Sequence, residues 1–225
     1  MILGLHWLRP NDECGSINNL YLMSNSKWAI RKQMVAARSA LSQQQLQDAA
    51  INLARIARLY APLMHASSIA SYVPIKGEIA PHALIRSMNI KQACIPVICD
   101  IKTGKMKFCS VDPSLLAYPD ALYKPDIRRN DFGIPEPILD THPIQTRLLD
   151  AVLVPLAAFD RFGSRLGLGA GFYDRAFEYR LWNRNLLRPL LVGIAHEFQE
   201  VDRLDSAPWD VPLDVIITPK GIIRP

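Results

Sequence analysis

The stretch DAVLVPLAAFDRFGSRLGLGAGFYDRAFEYRLW, residues 150–182, decides the fold of this chain of 225 residues. Its opening run, DAVLVPL, is short, apolar and rich in valine and leucine, which predicts a buried central strand. A glycine-rich segment follows, and after it Phe172, Ala176 and Tyr179 recur at the spacing of a helix. A strand, a glycine loop and a helix in this order are typical of an α/β domain.

Helices and strands alternate to either side of this stretch. Apolar residues at helical spacing predict a first helix from Ser26, and Ser42 with Gln45 forms a capping-box signature for a second helix. Short apolar runs predict further strands at residues 68–75, 92–98, 105–111, 190–195 and 213–219, with a short helical stretch at 82–88. The alternation predicts a layered α/β domain with a mainly parallel sheet.

Composition excludes several classes of protein. Apolar residues make up 49% of the chain and charged residues 21%, which is ordinary for a globular protein and argues against disorder. No apolar run approaches the roughly 18 to 20 residues of a membrane span, so no membrane association is expected. The four cysteines, at positions 14, 94, 99 and 109, form no CxxC pair and are expected to be reduced thiols in the cytoplasm. The net charge of +5 suits an anionic partner, either a phosphate-bearing small molecule or a nucleic acid.

Residues 1–25 are predicted to be an N-terminal extension to a single domain that spans residues 26–225. The apolar start, residues 1–8, is short, lacks a basic flank and is followed by no small-residue cleavage site, so it makes a poor signal peptide. Met23 stands just before the first helical pattern. An ordered extension, a disordered tail and a later start of the native product therefore all stay open.

The glycine segment, RLGLGAGFYDR at residues 165–175, carries the residues best suited to bind an anion. Its glycines, and Gly163 before it, leave the backbone free to adopt positive φ and to approach a ligand closely, just before a helix begins. Arg165 adds a planar, permanently charged fork for phosphate or carboxylate oxygens, and Asp174 lies where a metal ion could hold it ionised. The segment therefore suggests that phosphate is bound together with magnesium.

Two familiar phosphate-binding loops do not fit this segment. A Walker A loop needs GxxxxGK followed by serine or threonine, but with Gly163 as the first position the sixth is Leu168, and no lysine follows. A dinucleotide fingerprint that starts at Gly167 needs a glycine at position 172, where Phe172 stands. Taken alone, the loop could equally be a connector between a strand and a helix.

Other charged residues each have an ordinary interpretation. Lys27, Arg31 and Arg38 fall on one side of the first helix, where a solvated basic face is the usual explanation. Glu78 follows a predicted strand and could simply lie in an exposed loop. Asp210, in PWDVPLD, could shape a turn before the last strand.

Taken together and in order, these elements resemble the 5-formyltetrahydrofolate cyclo-ligase family, also called methenyltetrahydrofolate synthetase. The resemblance covers residues 26–225, and RLGLGAGFYDR is its most specific element. The matching elements are KWAIRKQMVAAR near the start, YVPIKGEI at 72–79, FGIPEP at 132–137, VPLAAFDRFGSRLGLGAGFYDR at 154–175, VGIAHEFQ at 192–199 and WDVPLDVIITP at 209–219.

The resemblance implies a three-layer α/β/α fold and a role for each matching position. Arg165 would be the catalytic residue, and Asp174 and Asp210 would be the magnesium ligands, because two carboxylates with phosphate oxygens and water suit octahedral coordination. The ATP-binding residues would be Lys27, Arg31, Arg165, Leu166, Gly167, Leu168, Gly169, Ala170, Gly171, Phe172 and Tyr173. The folate-binding residues would be Val73, Glu78, Leu168, Gly169, Ala170, Gly171 and Phe172.

The implied reaction is the ATP-dependent closure of 5-formyltetrahydrofolate to 5,10-methenyltetrahydrofolate, with release of ADP and phosphate. A formamide oxygen is a poor leaving group, so the family is thought to phosphorylate it before the neighbouring amine attacks. Catalysis would then come mainly from positioning and charge stabilisation. The expected partners are the two small-molecule substrates, with no nucleic acid, and a monomer is expected.

The sequence departs from the family pattern at few positions. Ala170 stands where relatives have glycine or lysine, Phe172 replaces the first of two tyrosines, and residues 1–24 have no counterpart. In the proline-rich residues 112–143, predicted to be a long surface loop, Glu136 is expected to give structural support. Two rival hypotheses are a relative that binds nucleotide or RNA without closing folate rings, and an enzyme with the same ATP chemistry on another amide-bearing acceptor.

Overall fold

The computed structural model of the chain describes residues 26–118, 127–130, 133–137, 143–183 and 188–225. The predicted extension, residues 1–25, lies outside the described residues.

A sheet of eight strands runs through the centre of the described structure. Its strands are β1 (Ser68–Ala70), β2 (Gln92–Asp100), β3 (Lys105–Val111), β6 (Pro143–Ile144), β7 (Ala151–Pro155), β10 (Leu190–Ile194), β11 (Val215–Ile217) and β12 (Ile222–Ile223). Two separate hairpins pair β4 (Ile127–Arg129) with β5 (Pro135–Pro137) and β8 (Ala158–Phe159) with β9 (Arg165–Leu166). The strand order in the large sheet is β12-β11-β10-β7-β1-β2-β3-β6.

The middle of this sheet is parallel, as the alternation of strands and helices predicted. Strands β11, β10, β7, β1 and β2 run in one direction, and β12 and β3 run in the opposite direction at the two sides of this group. The edge strand β6 pairs antiparallel with β3 and so runs in the same direction as the central strands. In the register, Val152 of β7 lies between Ala70 of β1 and Leu191 of β10. The prediction of a mainly parallel α/β sheet is confirmed.

Helices flank the sheet. They are α1 (Lys27–Ser39), α2 (Gln43–Ala57), α3 (Ala61–Met64), α4 (His82–Ile85), α5 (Pro113–Ala117), α6 (Phe172–Phe177) and α7 (Tyr179–Trp182), with 3-10 turns at Thr146–Leu148 and Glu197–Gln199. The predicted capping box is present, because the Ser42 hydroxyl accepts from the Gln45 amide at 3.2 Å and the Gln45 side chain accepts from the Ser42 amide at 2.8 Å. The single helix predicted after the glycine segment is two short ones, α6 and α7.

Strand β7 divides the core into two layers. Its residue Leu153 packs on one face with Leu53 of α2, while Val152 and Val154 pack on the other face with Phe177 of α6. Residues 151–154 of this strand are all at most 1% exposed. The two-sided burial explains the continuous apolar run that the sequence shows, and it gives the three layers.

The strand predicted at 68–75 ends at Ala70, so the prediction was too long. Beyond Ala70 the chain turns, with Lys76 and Gly77 both at positive φ, 47° and 74°. A side chain at Gly77 would come within 2.2 Å of the Arg38 carbonyl oxygen. The close approach to α1 pulls this segment out of the sheet and leaves Glu78 beside Arg38.

The surface loop predicted at 112–143 is also wrong in part. It contains helix α5 and the hairpin of β4 and β5. Glu136 of β5 is 1% exposed and its Oε1 accepts from the Ile98 amide at 2.9 Å, which docks the hairpin on β2. A buried carboxylate with a backbone partner gives this proline-rich stretch a fixed position.

A buried aspartate organises the turn between β8 and β9, which delivers Arg165 to the site. The Asp160 side chain is fully buried and accepts from the amides of Phe162 at 3.0 Å, Ser164 at 2.9 Å and Leu204 at 3.0 Å. Oxygen Oδ1 serves the first two amides, and Oδ2 serves the third.

Replacing Asp160 tests this role. Asp160→Ala leaves buried amides without acceptors and should lower the free energy of unfolding by about 3 kcal/mol. Asp160→Asn keeps one carbonyl oxygen for Phe162 and Ser164 but turns an NH2 group toward the Leu204 amide, and it should lose less, about 2 kcal/mol. Denaturant unfolding of both variants measures the difference, and equal losses would contradict the assignment.

Candidate functional site

A polar cleft of about 380 Å³ opens beside the glycine segment. It lies between the start of α1, the glycine segment and the turn that precedes β11. We call this space the polar cleft; its lining residues are Lys27, Arg31, Arg165, Leu166, Gly167, Gly169, Ala170, Gly171, Asp174, Arg175, Glu178, Trp209 and Asp210.

Helix α1 supplies two cations to the polar cleft. Lys27 and Arg31 are one helical turn apart and therefore share a face. The Arg31 Nε donates to the Gly167 carbonyl at 2.8 Å, and the Lys27 ammonium lies 3.5 Å from Asp210 Oδ2. These contacts fix the glycine segment and the Asp210 turn against the helix.

Arg165 lies at the inner wall of the cleft in a closed set of contacts. Its Nη2 donates to Asp174 Oδ1 at 2.6 Å, its Nη1 donates to the Val211 carbonyl, and the Val211 amide donates to the same Asp174 oxygen at 3.1 Å. The Arg165 side chain is only 6% exposed. An arginine predicted from sequence as a phosphate-binding side chain is therefore also a packed structural element.

Two glycines and Arg175 set the shape of the glycine segment. Gly169 and Gly171 adopt φ of 110° and 67°, which other residues rarely adopt. The Arg175 guanidinium donates to the Ala170 carbonyl and, at 3.1 Å, to the Gly104 carbonyl in the turn between β2 and β3. The segment is thus tied both to α1 and to that turn.

An apolar cavity of about 200 Å³ lies on the other side of the glycine segment. We call it the apolar cavity; its lining residues are Tyr72, Val73, Ile75, Glu78, Pro96, Ile98, Met106, Asn130, Ile134, Glu136, Pro155, Leu156, Arg165, Gly167, Leu168, Ala170, Gly171, Phe172, Tyr173 and Asp174. Five residues line both spaces, namely Arg165, Gly167, Ala170, Gly171 and Asp174. A single stretch of chain therefore separates the polar cleft from the apolar cavity.

Glu78 is the charged group at one end of the apolar cavity. Its side chain is 7% exposed, and it pairs with Arg38, which is 1% exposed, at 3.4 Å. Its other oxygen accepts from the Ile75 amide at 3.1 Å. Burial raises the pKa of Glu78, and the positive charge of Arg38 opposes that shift. The sequence interpretation of Arg38 as part of a solvated basic face is wrong, since this arginine turns into the interior and supports Glu78.

Arg38 is anchored by one further contact. Its Nη1 donates to the Leu156 carbonyl at 3.0 Å, while its Nε and Nη2 have no partner among the described residues. Burying a guanidinium with unsatisfied donors costs stability. The pairing that holds Glu78 in place therefore lowers the stability of the folded protein.

The VGIAHEFQ element, residues 192–199, contacts the turn that precedes Glu78. The His196 Nε2 lies 3.0 Å from the Gly77 carbonyl, so this nitrogen carries the proton of the pair. Burial lowers the pKa of His196, which keeps the ring neutral at neutral pH. The Gln199 side chain donates to the carbonyls of Leu156 and Ala157, both at 2.8 Å. This element supports the site without lining it.

Two tyrosines close the apolar cavity. The Tyr72 hydroxyl donates to the Ile79 carbonyl at 2.5 Å, and the Tyr173 ring packs edge-on against Phe108. Burial raises the pKa of both hydroxyls, and the nearby Glu78 carboxylate adds to the shift. Both hydroxyls are therefore neutral hydrogen-bonding groups at any physiological pH.

The predicted ligand residues divide between the two spaces. Of the predicted ATP-binding set, Leu168, Phe172 and Tyr173 line only the apolar cavity, and the others line the polar cleft. Of the predicted folate-binding set, Gly169 lines only the polar cleft, and the others line the apolar cavity. The predicted metal ligands Asp174 and Asp210 both line the polar cleft.

Several site residues were not singled out from the sequence. Arg175 and Trp209 lie inside the quoted motifs, so their motif membership was the available signal. Asn130 enters through the hairpin of β4 and β5 and Met106 enters from β3, while Glu136, which was expected only to give structural support, also lines the apolar cavity. Nothing in the local pattern around Asn130 or Met106 indicates that the chain folds back to the cavity there.

Comparison with known protein families gives a match over most of the chain. A model of the 5-formyltetrahydrofolate cyclo-ligase family matches residues 23–219. The 5-formyltetrahydrofolate cyclo-ligase of Escherichia coli strain K12 is 31% identical over 188 residues, which are 82% of this chain and 96% of that protein. The protein of the same name from Haemophilus influenzae is 33% identical over 194 residues, 84% of this chain and 91% of that one.

Solved structures agree with the sequence relatives. The 5,10-methenyltetrahydrofolate synthetase of Aquifex aeolicus aligns with a TM-score of 0.67 at 26% identity, covering 88% of this chain and 92% of that one. The 5,10-methenyltetrahydrofolate synthetase of Mycoplasma pneumoniae aligns with a TM-score of 0.62 at 26% identity, covering 86% of this chain and 99% of that one.

The buried pair of Arg38 and Glu78 can be tested by a double-mutant cycle at neutral pH. Arg38→Met leaves Glu78 buried without its cation and should lower the free energy of unfolding by about 3–5 kcal/mol. Combining it with Glu78→Gln removes both charges and should recover most of that loss. Denaturant unfolding of the four proteins gives the coupling free energy. Additive effects of the two changes would show that neither group depends on the other.

Proposed function

The chain belongs to the 5-formyltetrahydrofolate cyclo-ligase family, and we propose that its polar cleft binds ATP while its apolar cavity binds the folate. The protein is an enzyme that uses ATP to convert 5-formyltetrahydrofolate to 5,10-methenyltetrahydrofolate. The observation that carries the assignment of its residues is the shared wall, since the reaction needs a phosphate donor and a formyl acceptor to meet. The five residues common to both spaces form the meeting place.

The charges of the polar cleft support ATP as its ligand. Lys27, Arg31 and Arg165 line it together with the backbone of Gly169 and Gly171, and the Arg31 guanidinium lies close to Gly169. Arginine forks and free backbone amides are the groups that bind phosphate oxygens in a loop without a Walker sequence. The triphosphate would lie along the glycine segment, with its terminal phosphate next to Arg165.

The chemistry of the apolar cavity supports the folate as its ligand. Most of its lining side chains are apolar, including Val73, Leu168 and Phe172, and these would cover the faces of the pterin ring. Glu78, which is paired with Arg38, can accept hydrogen bonds from the amino and NH groups of that ring. The rim residue Leu168, which is 49% exposed, would become covered when the ligand binds.

The proposed reaction passes through a phosphorylated formyl group. The formyl oxygen on N5 attacks the terminal phosphorus of ATP, forming an O–P bond as the bond to ADP breaks. The N10 amine then attacks the formyl carbon, the C–O bond breaks, and the oxygen leaves with the phosphate while N10 loses its proton. Positioning and charge stabilisation supply the catalysis, because the protein contributes no covalent step.

Arg165 is the proposed catalytic residue, because it alone among the cations of the cleft also lines the apolar cavity. A guanidinium at that boundary can stabilise the charge that develops on the transferring phosphoryl group. Its contacts with Asp174 and Val211 hold it in place before substrates bind, so little reorganisation is needed during the reaction.

Asp174 and Asp210 fit a magnesium ion that arrives with the nucleotide. In the described structure, Oδ1 of Asp174 is occupied by Arg165 and Val211, and Oδ2 of Asp210 by Lys27 and Ala207. One oxygen of each carboxylate is left for a cation. Within the described ranges, no three acidic, histidine or cysteine side chains are grouped so that they could hold a metal ion together, so phosphate oxygens and water would complete the coordination. Bound magnesium would neutralise phosphate charge.

The setting of the enzyme is proposed on more general grounds. No helix within the described ranges is long and apolar enough to cross a bilayer. Cys94, Cys99 and Cys109 are free thiols, which suits the reducing cytoplasm. We propose a cytoplasmic monomer that acts on small molecules and has no need of a nucleic acid.

The function is tested by mixing the protein with MgATP and 5-formyltetrahydrofolate and following the near-ultraviolet absorbance of the methenyl product. Arg165→Lys keeps the charge but loses the fork, and it should lower kcat about 100-fold or more. Arg180→Lys is the matched control, because Arg180 makes a similar partly buried pair with Asp214, at 2.7 and 2.9 Å, outside the cleft. Both variants should lose similar thermal stability, and only Arg165→Lys should lose turnover. Equal turnover in the two would show that Arg165 is structural.

The metal assignment predicts a changed magnesium requirement. Asp210→Asn should raise the Mg²⁺ concentration for half-maximal activity about tenfold or more, since a neutral amide is a weaker ligand for a hard cation. Asp205→Asn changes an exposed carboxylate five residues before Asp210 that does not line the cleft, and it should leave this Mg²⁺ concentration unchanged. Activity is measured against Mg²⁺ at fixed ATP. The same requirement in both variants would exclude Asp210 as a ligand.

A further inference from the structure

Trp209 is an exposed aromatic side chain in a cleft lined mostly by charge and backbone. It is 68% exposed and is the one aromatic residue among the described residues that line the polar cleft. A large apolar ring left in water contributes no burial to folding. Core packing therefore does not explain why a tryptophan lies beside Lys27, Arg31 and Asp210.

The position of Trp209 is fixed by a turn that is closed on both sides of it. The Asp210 amide donates to the Ala207 carbonyl at 3.0 Å, and the Ala207 amide donates to Asp210 Oδ2 at 2.8 Å. The Lys27 ammonium, 3.5 Å from the same carboxylate oxygen, ties this turn to α1. The backbone that carries the indole is held in place while the ring faces the cleft.

The other exposed tryptophans differ in their surroundings. Trp28 has the Lys32 ammonium 5.1 Å from its ring centre, and Trp182 lies on α7, away from both ligand spaces. Among the described residues, no cation and no aromatic ring is stacked on Trp209. Its faces are open for a flat ligand.

We propose that Trp209 is the base-binding residue of the polar cleft, with its indole stacked on the base of the nucleotide. The inference rests on the proposed binding of ATP in this cleft. ATP has a polyanionic end and a flat aromatic end, and the cations of the cleft match only the first. Trp209, which lines the same cleft as the glycine segment, matches the second. Because every base has a π face, this contact recognises a base without selecting adenine.

The test compares a nucleotide with its phosphate chain alone. Binding of β,γ-methylene-ATP and of inorganic tripolyphosphate, each with Mg²⁺, is measured by calorimetry in wild type, Trp209→Phe, Trp209→Ala and Trp182→Ala. Trp209→Ala should weaken binding of the nucleotide about tenfold, and Trp209→Phe less than about threefold, because a phenyl ring still stacks. Tripolyphosphate affinity should change less than about twofold in either, and Trp182→Ala should behave as wild type.

Fluorescence gives a second readout that a merely structural role would not move. The nucleotide should quench tryptophan emission in wild type and in Trp182→Ala but not in Trp209→Phe, while tripolyphosphate should leave the emission nearly unchanged in all proteins. An equal loss of affinity for both ligands in Trp209→Ala, or persisting quenching in Trp209→Phe, would overturn the inference.

Arg31→Ala separates the inference from the function on which it rests. Weakened binding of the nucleotide in Arg31→Ala, with unchanged binding in Trp209→Ala, would overturn the role of Trp209 alone. Unchanged binding in both variants would overturn the nucleotide assignment of the polar cleft, and the inference with it.

Discussion

The contact set of Arg165, Asp174 and Val211 is the constraint on which the rest of the site depends. It joins β9 and the first turn of α6, which are nine residues apart, to the turn before β11, which lies about 40 residues further along the chain. The arginine is almost completely buried, so its charge is balanced by a carboxylate and a carbonyl inside the protein. A charge-assisted pair at this depth is directional and short, and it sets where the glycine segment can run. Both ligand spaces take their shape from that path.

The site lies where the parallel strands end. Strand β1 leads through Tyr72 to Glu78, and β7 leads to Pro155 and Leu156, all of which line the apolar cavity. Crevices outside the carboxyl ends of parallel strands are the usual ligand sites of open α/β sheets. The buried sheet thus carries the loops whose residues line both spaces. Glu78 lines the cavity at this edge with a side chain only 7% exposed, and it is paired there with Arg38 from α1.

The parts of this structure that could be predicted from sequence are those that depend on neighbouring residues. The apolar run of β7 and the capping box at Ser42 report local burial and local hydrogen bonds, and both are present. The end of β1 could not be predicted, because the turn at Gly77 is imposed by contact with Arg38, distant in the chain. For the same reason Arg38 looked like part of a solvated basic stripe, although its packing partner lies 40 positions away. The loop predicted at 112–143 failed because a single buried carboxylate, Glu136, docks a hairpin there.

The wall between the two ligand spaces is built largely from backbone. Of its five shared residues, Gly167, Ala170 and Gly171 have no side chain beyond a methyl group, and only Arg165 and Asp174 reach into either space with charge. Such a wall can be thin, so that two molecules bound on its two sides approach closely. A substitution in the wall, however, alters the lining of both spaces. Selectivity for either ligand must therefore come from residues that line one space only. Glu78 and Phe172 are placed to act on the apolar side, and Lys27 and Trp209 on the polar side. In the proposed assignment, the two substrates meet at the glycine segment, and these flanking residues select which molecules bind.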